Sequence, residues 1–332
     1  MSKEFPMSLS RRTLLGTVGA AALAMPSLAL AQNKQLRAGV ITPPGHPWNE
    51  ALLRVAETLK NETNGRLTMS VFPAGQLGNE GAMLQQMQSG ALDLGFISVE
   101  LGTRLPTQAA VNAPYVVRST KAAAAFVRHP VVLGTFEQLP RELGTVGLSW
   151  GITSQRVVFT AKPINGLADL KGMKLRINMS PAFKDFYQLL GVAPTPIPTP
   201  AVFDAMSNGQ VDGLEADLDF SWNQRFDKVS KSILRMNAVF VPGIAMASGR
   251  VWQSLSAADR ELITKATKAA FDTQVDEVVT SEPKLVESFK ATGIKFIDKD
   301  DADIERIVKA FDEIWLPKAP ILAKLREVGA SL

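Results

Sequence analysis

The chain has 332 residues, no cysteine, two histidines and a net charge of +4. The missing cysteine excludes disulfide staples, thiol catalysis and cysteine-ligated metals. Part of the charge sits in the first 31 residues, where Lys3, Arg11 and Arg12 outweigh Glu4. The remainder carries only +2, which gives no reason to expect a nucleic-acid partner.

Ser10-Arg11-Arg12-Thr13 leads into an apolar stretch from Leu14 to Met25, and Ala29-Leu30-Ala31 supplies a small-x-small cleavage signal. This predicts a signal peptide over residues 1–31, a mature start at Gln32 and a periplasmic product. The paired arginines resemble a twin-arginine export signal, and an ordinary signal with two arginines accounts for them equally well. No later stretch offers the ~18 uninterrupted apolar residues that a membrane helix needs. The 301 residues after the leader suffice for two packed domains.

In chain order, Leu36 to Ile41 reads as a strand, then Pro43-Pro44-Gly45-His46-Pro47 turns into a helix over Trp48 to Glu62. A strand over Leu67 to Phe72, a helix over Gly81 to Ser89 and a strand over Asp93 to Val99 complete a β-α-β-α-β unit with a largely parallel sheet. A second such unit begins near Gly151. It has strands over Arg156 to Thr160, Lys174 to Ile177 and Val211 to Glu215, with helices over Pro181 to Leu190 and Phe203 to Ser207. Pro194 to Pro200 holds four prolines and is extended. A long amphipathic helix is predicted over Ala257 to Val279, with Pro283 breaking or kinking it. Helices over Ala302 to Ile314 and Ala319 to Val328 close the chain. The fold class is α/β, and two such units without a linker predict several crossing strands and an interdomain cleft.

Strand alternation over Lys174 to Ile177 sends Leu175 and Ile177 to the core and Arg176 to the opposite face. A guanidinium fork matches a carboxylate in two parallel hydrogen bonds, so Arg176 is the candidate clamp for an anion; an interdomain salt bridge is its plainer role. Glu215, Asp217 and Asp219 are candidate acceptors for hydroxyls or an ammonium, or else helix-start acids favoured by the macrodipole. His46 and Trp48 follow the first strand at the edge where α/β proteins bind ligands, though a turn histidine without a binding role fits as well. Met83 and Met87, at helical spacing, belong to the core.

Four segments carry a family resemblance. Pro73 to Glu80 resembles the "P-x-x-Q-L-G-x-E" segment of substrate-binding proteins of tripartite ATP-independent periplasmic (TRAP) transporters, the DctP family. Asp169 to Arg176 resembles its "D-L-K-G-x-K-x-R", Pro194 to Pro198 its "P-T-P-M-P", and Gly209 to Glu215 its "G-x-V-D-G-x-E". The resemblance implies a periplasmic-binding-protein-like two-lobed clamp with a long helix spanning both lobes. It also implies closure over a small organic anion and delivery to ion-driven permease subunits. Its lobes would take residues 32–153, then 154–238, a return over 239–281 that starts the bridging helix, and 282–332. By position it makes Arg176 the carboxylate clamp and Arg156 an assisting arginine, and it places Glu80 and Ser98 toward the cleft. Departures touch the ligand. Ala216 and Asp217 replace the usual asparagine and proline after Glu215, Met179 replaces a polar residue three after the clamp, and Thr199 replaces an aromatic.

The expected ligand is a sugar acid, hydroxy acid or similar carboxylate, with a neutral sugar or polyol as the alternative. No cofactor or metal is expected, and the receptor would act as a monomer. A periplasmic carbohydrate-active enzyme or lyase is the competing class. With only His46 and His129, and no G-x-S-x-G, H-E-x-x-H or Walker sequence, no catalytic set is legible.

Overall fold

The computed structural model describes residues 33–298 and 304–332. The expected leader, its cleavage before Gln32 and the predicted start of the penultimate helix at Ala302 lie outside the described residues.

The described strands form two sheets. They are β1 Lys34–Gly39, β2 Leu67–Phe72, β3 Leu94–Ile97, β4 Thr145–Ile152, β5 Val157–Thr160, β6 Lys174–Ile177, β7 Ala193–Pro196, β8 Gly213–Ala216, β9 Ser232–Arg235, β10 Pro242–Ser248 and β11 Lys295–Asp298. The first sheet runs β2-β1-β3-β10-β4 and the second β11-β9-β5-β8-β6-β7. β1, β2 and β3 are parallel, as the β-α-β-α-β pattern requires. β10, returning from the second sheet, lies antiparallel between β3 and β4.

β10 is buried at every position, so it lacks the polar–apolar alternation that marks a half-exposed strand, and sequence patterning passes over it. Gly243 within it is dictated by packing. A Cβ there would lie 2.2 Å from the Phe96 ring, so any side chain would push β10 off β3.

Two extended segments carry the chain between the sheets, residues 153–156 outward and 236–241 back. They bond side by side: Thr153 N donates to Val241 O at 3.0 Å and Arg156 N to Val239 O at 2.7 Å. A third connection is the helix Ala257–Ala291, longer than predicted because it continues through Pro283. Proline removes one hydrogen bond, but the segment beyond it buries Val286 and Phe289 among Phe159, Phe226 and Ile233 of the second sheet's core. Its earlier turns bury Ile263, Ala266 and Ala270 against the first sheet. One helix thus spans both lobes.

The helices Pro47–Glu62, Glu80–Ser89 and Pro181–Leu189 agree with the predicted ones to within a residue. The strand predicted to reach Val99 ends at Ile97, where a helix over Val99–Arg104 takes over after Ser98, and the short helices and turns of residues 100–143 carried no sequence prediction. The last helix, Ile321–Ala330, packs on this region, and Arg326 ties it down by donating to Pro114 O at 2.6 Å.

Candidate ligand cleft

Strand ends from both lobes converge on one place, as expected where α/β sheets bind ligands. The residues following β1 bring Thr42 and His46, the end of β3 brings Ser98, the first crossing segment brings Arg156, β6 brings Arg176 and Asn178, and β8 brings Glu215 and Asp217. Two adjoining cavities result. The inner one encloses about 430 Å³, counting its open mouth, between Trp48, Ser98, Arg156, Asp217 and Phe220. The outer, about 520 Å³ on the same measure, lies between Asn79, Glu80, Met179 and Pro198. Ile41, Val99, Arg176, Asn178 and Thr199 line both and form the waist between them.

The two arginines serve different partners. Arg156 Nε donates to Glu215 Oε2 at 2.5 Å, Nη1 to Asp217 Oδ2 at 2.8 Å and Nη2 to Glu215 O at 3.1 Å. Burial opposes its charge, yet Glu215 and Asp217 hold its pKa above the ordinary arginine value. Arg176 is 2% exposed. Its Nε and Nη2 both donate to Ile197 O, at 3.0 and 2.8 Å, and Nη1 donates to Glu215 O at 3.3 Å. These bonds engage three of the five guanidinium N–H groups and leave one on each terminal nitrogen. The nearest carboxylate oxygen, Glu215 Oε1, is 3.8 Å away. Burial lowers the Arg176 pKa to about 10, against the opposing pull of Glu215, so the side chain remains charged at neutral pH.

The acids are held as firmly. Glu215 is fully buried on β8 and also accepts from Asn178 N at 2.9 Å. Asp217 caps the helix Leu218–Asn223 by accepting from Phe220 N at 2.8 Å, so it combines the helix-start role with a place on the cavity wall. Burial would raise its pKa, but His46, with Nε2 3.8 Å away, and the charge of Arg156 bring it down to about 2. Asp219 faces elsewhere: it lines neither cavity, and its Oδ2 is buried without a partner. Desolvation, then Asp217, lifts its pKa to about 6.

His46 lines the inner cavity and caps the first helix, its Nδ1 accepting from Trp48 N at 3.2 Å while Nε2 lies 3.8 Å from Asp217. Trp48 donates to Ile152 O at 2.9 Å and tilts onto Phe96, which stacks on Phe271, giving the cavity an aromatic floor. Glu80 lines the outer cavity, but its oxygens are committed: Oε1 accepts from Ser98 N and Oγ, and Oε2 from Glu100 N. Burial raises the Glu80 pKa while those bonds lower it. Ser98 faces the inner cavity with its hydroxyl turned to Glu80, and Met179 is an exposed thioether on the outer wall. Met83 and Met87 are in the core.

Sequence reading passed over Asn178. Its Oδ1 accepts from Ser180 N at 2.9 Å, which turns its Nδ2 donor, buried and without a partner, toward the waist. The same period of two that singles out Arg176 reaches Asn178, a signal present in the chain. It restores a side-chain amide near the clamp where the one after Glu215 is missing.

The sequence profile of bacterial extracellular solute-binding proteins, family 7 (DctP), matches residues 38–319. The chain belongs to this family. The receptor is 28% identical over 279 residues to the sialic acid-binding periplasmic protein SiaP of Vibrio cholerae, covering 84% of this chain and 85% of that one. It is 25% identical over 301 residues to the 2,3-diketo-L-gulonate-binding periplasmic protein YiaO of Escherichia coli, covering 89% and 88%. Among solved structures, a TRAP periplasmic solute-binding protein of Xanthobacter autotrophicus with bound β-D-galacturonate superimposes with a TM-score of 0.83 at 26% identity, over 89% of this chain and 99% of that one. One from Citrobacter koseri with bound D-glucuronate gives 0.82 at 25%, over the same shares. The chain is therefore an extracytoplasmic TRAP solute receptor of two-lobed architecture, and among its described residues no helix is long and apolar enough to cross a membrane.

Proposed function

We propose that this receptor captures a six-carbon sugar acid at the cleft waist and releases it, chemically unchanged, to membrane permease subunits. The observation that carries this reading is Arg176, a buried cation bonded to backbone carbonyls and keeping one N–H on each terminal nitrogen. A carboxylate takes such a pair in parallel, and in a site shielded from water the pair is strong. Asn178 Nδ2 adds a donor, while Thr42 and Asp217 on the wall of the inner cavity offer a hydroxyl and a carboxylate to a sugar's hydroxyls. The relatives' uronate ligands support the same class.

The lobes hinge at the crossing segments 153–156 and 236–241, and Arg176, Arg156, Glu215, Asp217, Ser98, His46, Glu80 and Met179 are proposed to face or frame the ligand. Arg156, Glu215, Glu80 and His46 act by holding the wall, since Arg156 and Glu215 are ion-paired with each other and Glu80 and His46 accept hydrogen bonds within the protein. The receptor acts as a monomer and carries out no reaction. Mass spectrometry of ligand copurified with the protein, with thermal-shift screening of D-galacturonate, D-glucuronate, galactonate and the matching neutral sugars, tests this. Tightest binding by a neutral sugar, or turnover of any of the acids, would refute the reading.

A further inference from the structure

The four ionic groups at the base of the inner cavity, Arg156, Arg176, Glu215 and Asp217, balance at two positive and two negative charges. Arg156 and Arg176 each keep one N–H on each terminal nitrogen, but Arg156 is paired with carboxylate oxygens at 2.5 and 2.8 Å, whereas the nearest to Arg176 is 3.8 Å away. The neighbouring amide Asn178 is restricted to donating because Ser180 N occupies its oxygen. Both neutralising acids are buried, so solvent screens them little. Asp217 stands on the inner wall, and Glu80 and Glu100 stand on the outer one. A ligand extending from the waist in either direction therefore runs toward an acidic side chain.

We propose that the cleft is built for one negative charge: Arg176 and Asn178 receive it, and Asp217 keeps a second carboxylate out of the inner cavity. This rests on the sugar-acid reading and narrows it to polyhydroxy monocarboxylates, with aldarates and other diacids rejected. Hydroxyls at the far end of the ligand donate to Asp217, and a carboxylate there meets its charge. Asp217 is thus a specificity-determining residue as well as a helix cap.

Galactonate and galactarate test the idea, because they differ only in whether the far carbon bears a hydroxyl or a second carboxylate. Calorimetry on the full mature receptor is expected to show galactonate binding at least about 50-fold more tightly than galactarate, the scale on which like charges disfavour a partner. Asp217→Asn keeps a capping side chain at the start of the Leu218–Asn223 helix and leaves Arg156 paired with Glu215, so the fold is retained at a lower melting temperature. It is expected to shrink the ratio below about 10-fold, chiefly by improving galactarate. Equal binding of the two acids by the unsubstituted receptor, or an unchanged ratio in Asp217→Asn, overturns the proposal while leaving the sugar-acid reading standing. Binding of galactose with neither acid overturns both. Circular dichroism melts of the variant verify that any change in ratio comes from a folded protein.

Discussion

Two buried arginines a few residues from one another in space have opposite fates in this cleft. Arg156 is ion-paired with Glu215 and Asp217, while Arg176 rests on two backbone carbonyls and stands off from the nearest carboxylate. A guanidinium paired with internal carboxylates is part of the frame, because removing it strands buried negative charge. A guanidinium propped on neutral carbonyls is oriented without being neutralised, and it remains available to an anion from outside. Sequence gives both residues the same chemistry. Their second partners assign the roles.

The contrast breaks most sharply on alanine substitution. Arg156→Ala is expected to cost about 3–5 kcal/mol of folding stability, since Glu215 and Asp217 lose their cation in a buried site; urea melts measure it. Arg176→Ala is expected to leave the fold less affected and to weaken sugar-acid binding by about 2–5 kcal/mol in calorimetry, with Arg176→Lys also impaired because a point charge cannot replace the fork. If both alanine variants lost stability and affinity in equal measure, the division of roles would be wrong. Asn178→Ala sharpens the waist: loss of one hydrogen bond to a charged ligand is expected to cost about 1.5–3 kcal/mol of affinity, with a separate stability loss of about 1 kcal/mol in the unliganded protein as Ser180 N gives up its acceptor. Unaltered affinity would remove Asn178 from the site.

The smallest effect concerns Asp219, which is less buried than the frame and has an oxygen, Oδ2, without a partner. Its pKa is raised to about 6, so the folded state holds its proton more tightly than the unfolded chain does. That contribution is full below about pH 4 and is lost as pH rises through about 6. Asp219→Asn should therefore be more stable than the parent by about 1–2 kcal/mol at pH 8, with the gap closing toward pH 4. A constant difference across that range would mean that ionisation of Asp219 is not its source. Asp217 has the opposite sign: with a pKa near 2, its contribution is present above about pH 4 and is lost as pH falls through 2.

Patterning defined the parallel strands of the first sheet, β6 over Lys174–Ile177 and the helices between them: β1, β2 and the helices have one buried and one more exposed face, while β3 and β6 are short runs bounded by turn residues. The order of four short motifs was enough to indicate the family and to single out Arg176. β10, buried at every position, has no such contrast to display, and the helices over 99–143, four to eight residues each, are too short to show a helical period. Pro283 misled for a related reason. Its local penalty is written in the chain, while the burial of Val286 and Phe289 that outweighs it exists only once the second sheet is in place.

By itself, then, the chain determined its α/β class and which arginine strand geometry turns toward a ligand. Tertiary structure alone decided which polar groups remain unspent: Arg156, Glu80 and Ser98 turn to internal partners, and Asn178, one residue before the position that drew attention at Met179, keeps a free donor. Hydrogen-bond satisfaction is a sum over neighbours contributed by distant segments, and no window of sequence contains that sum.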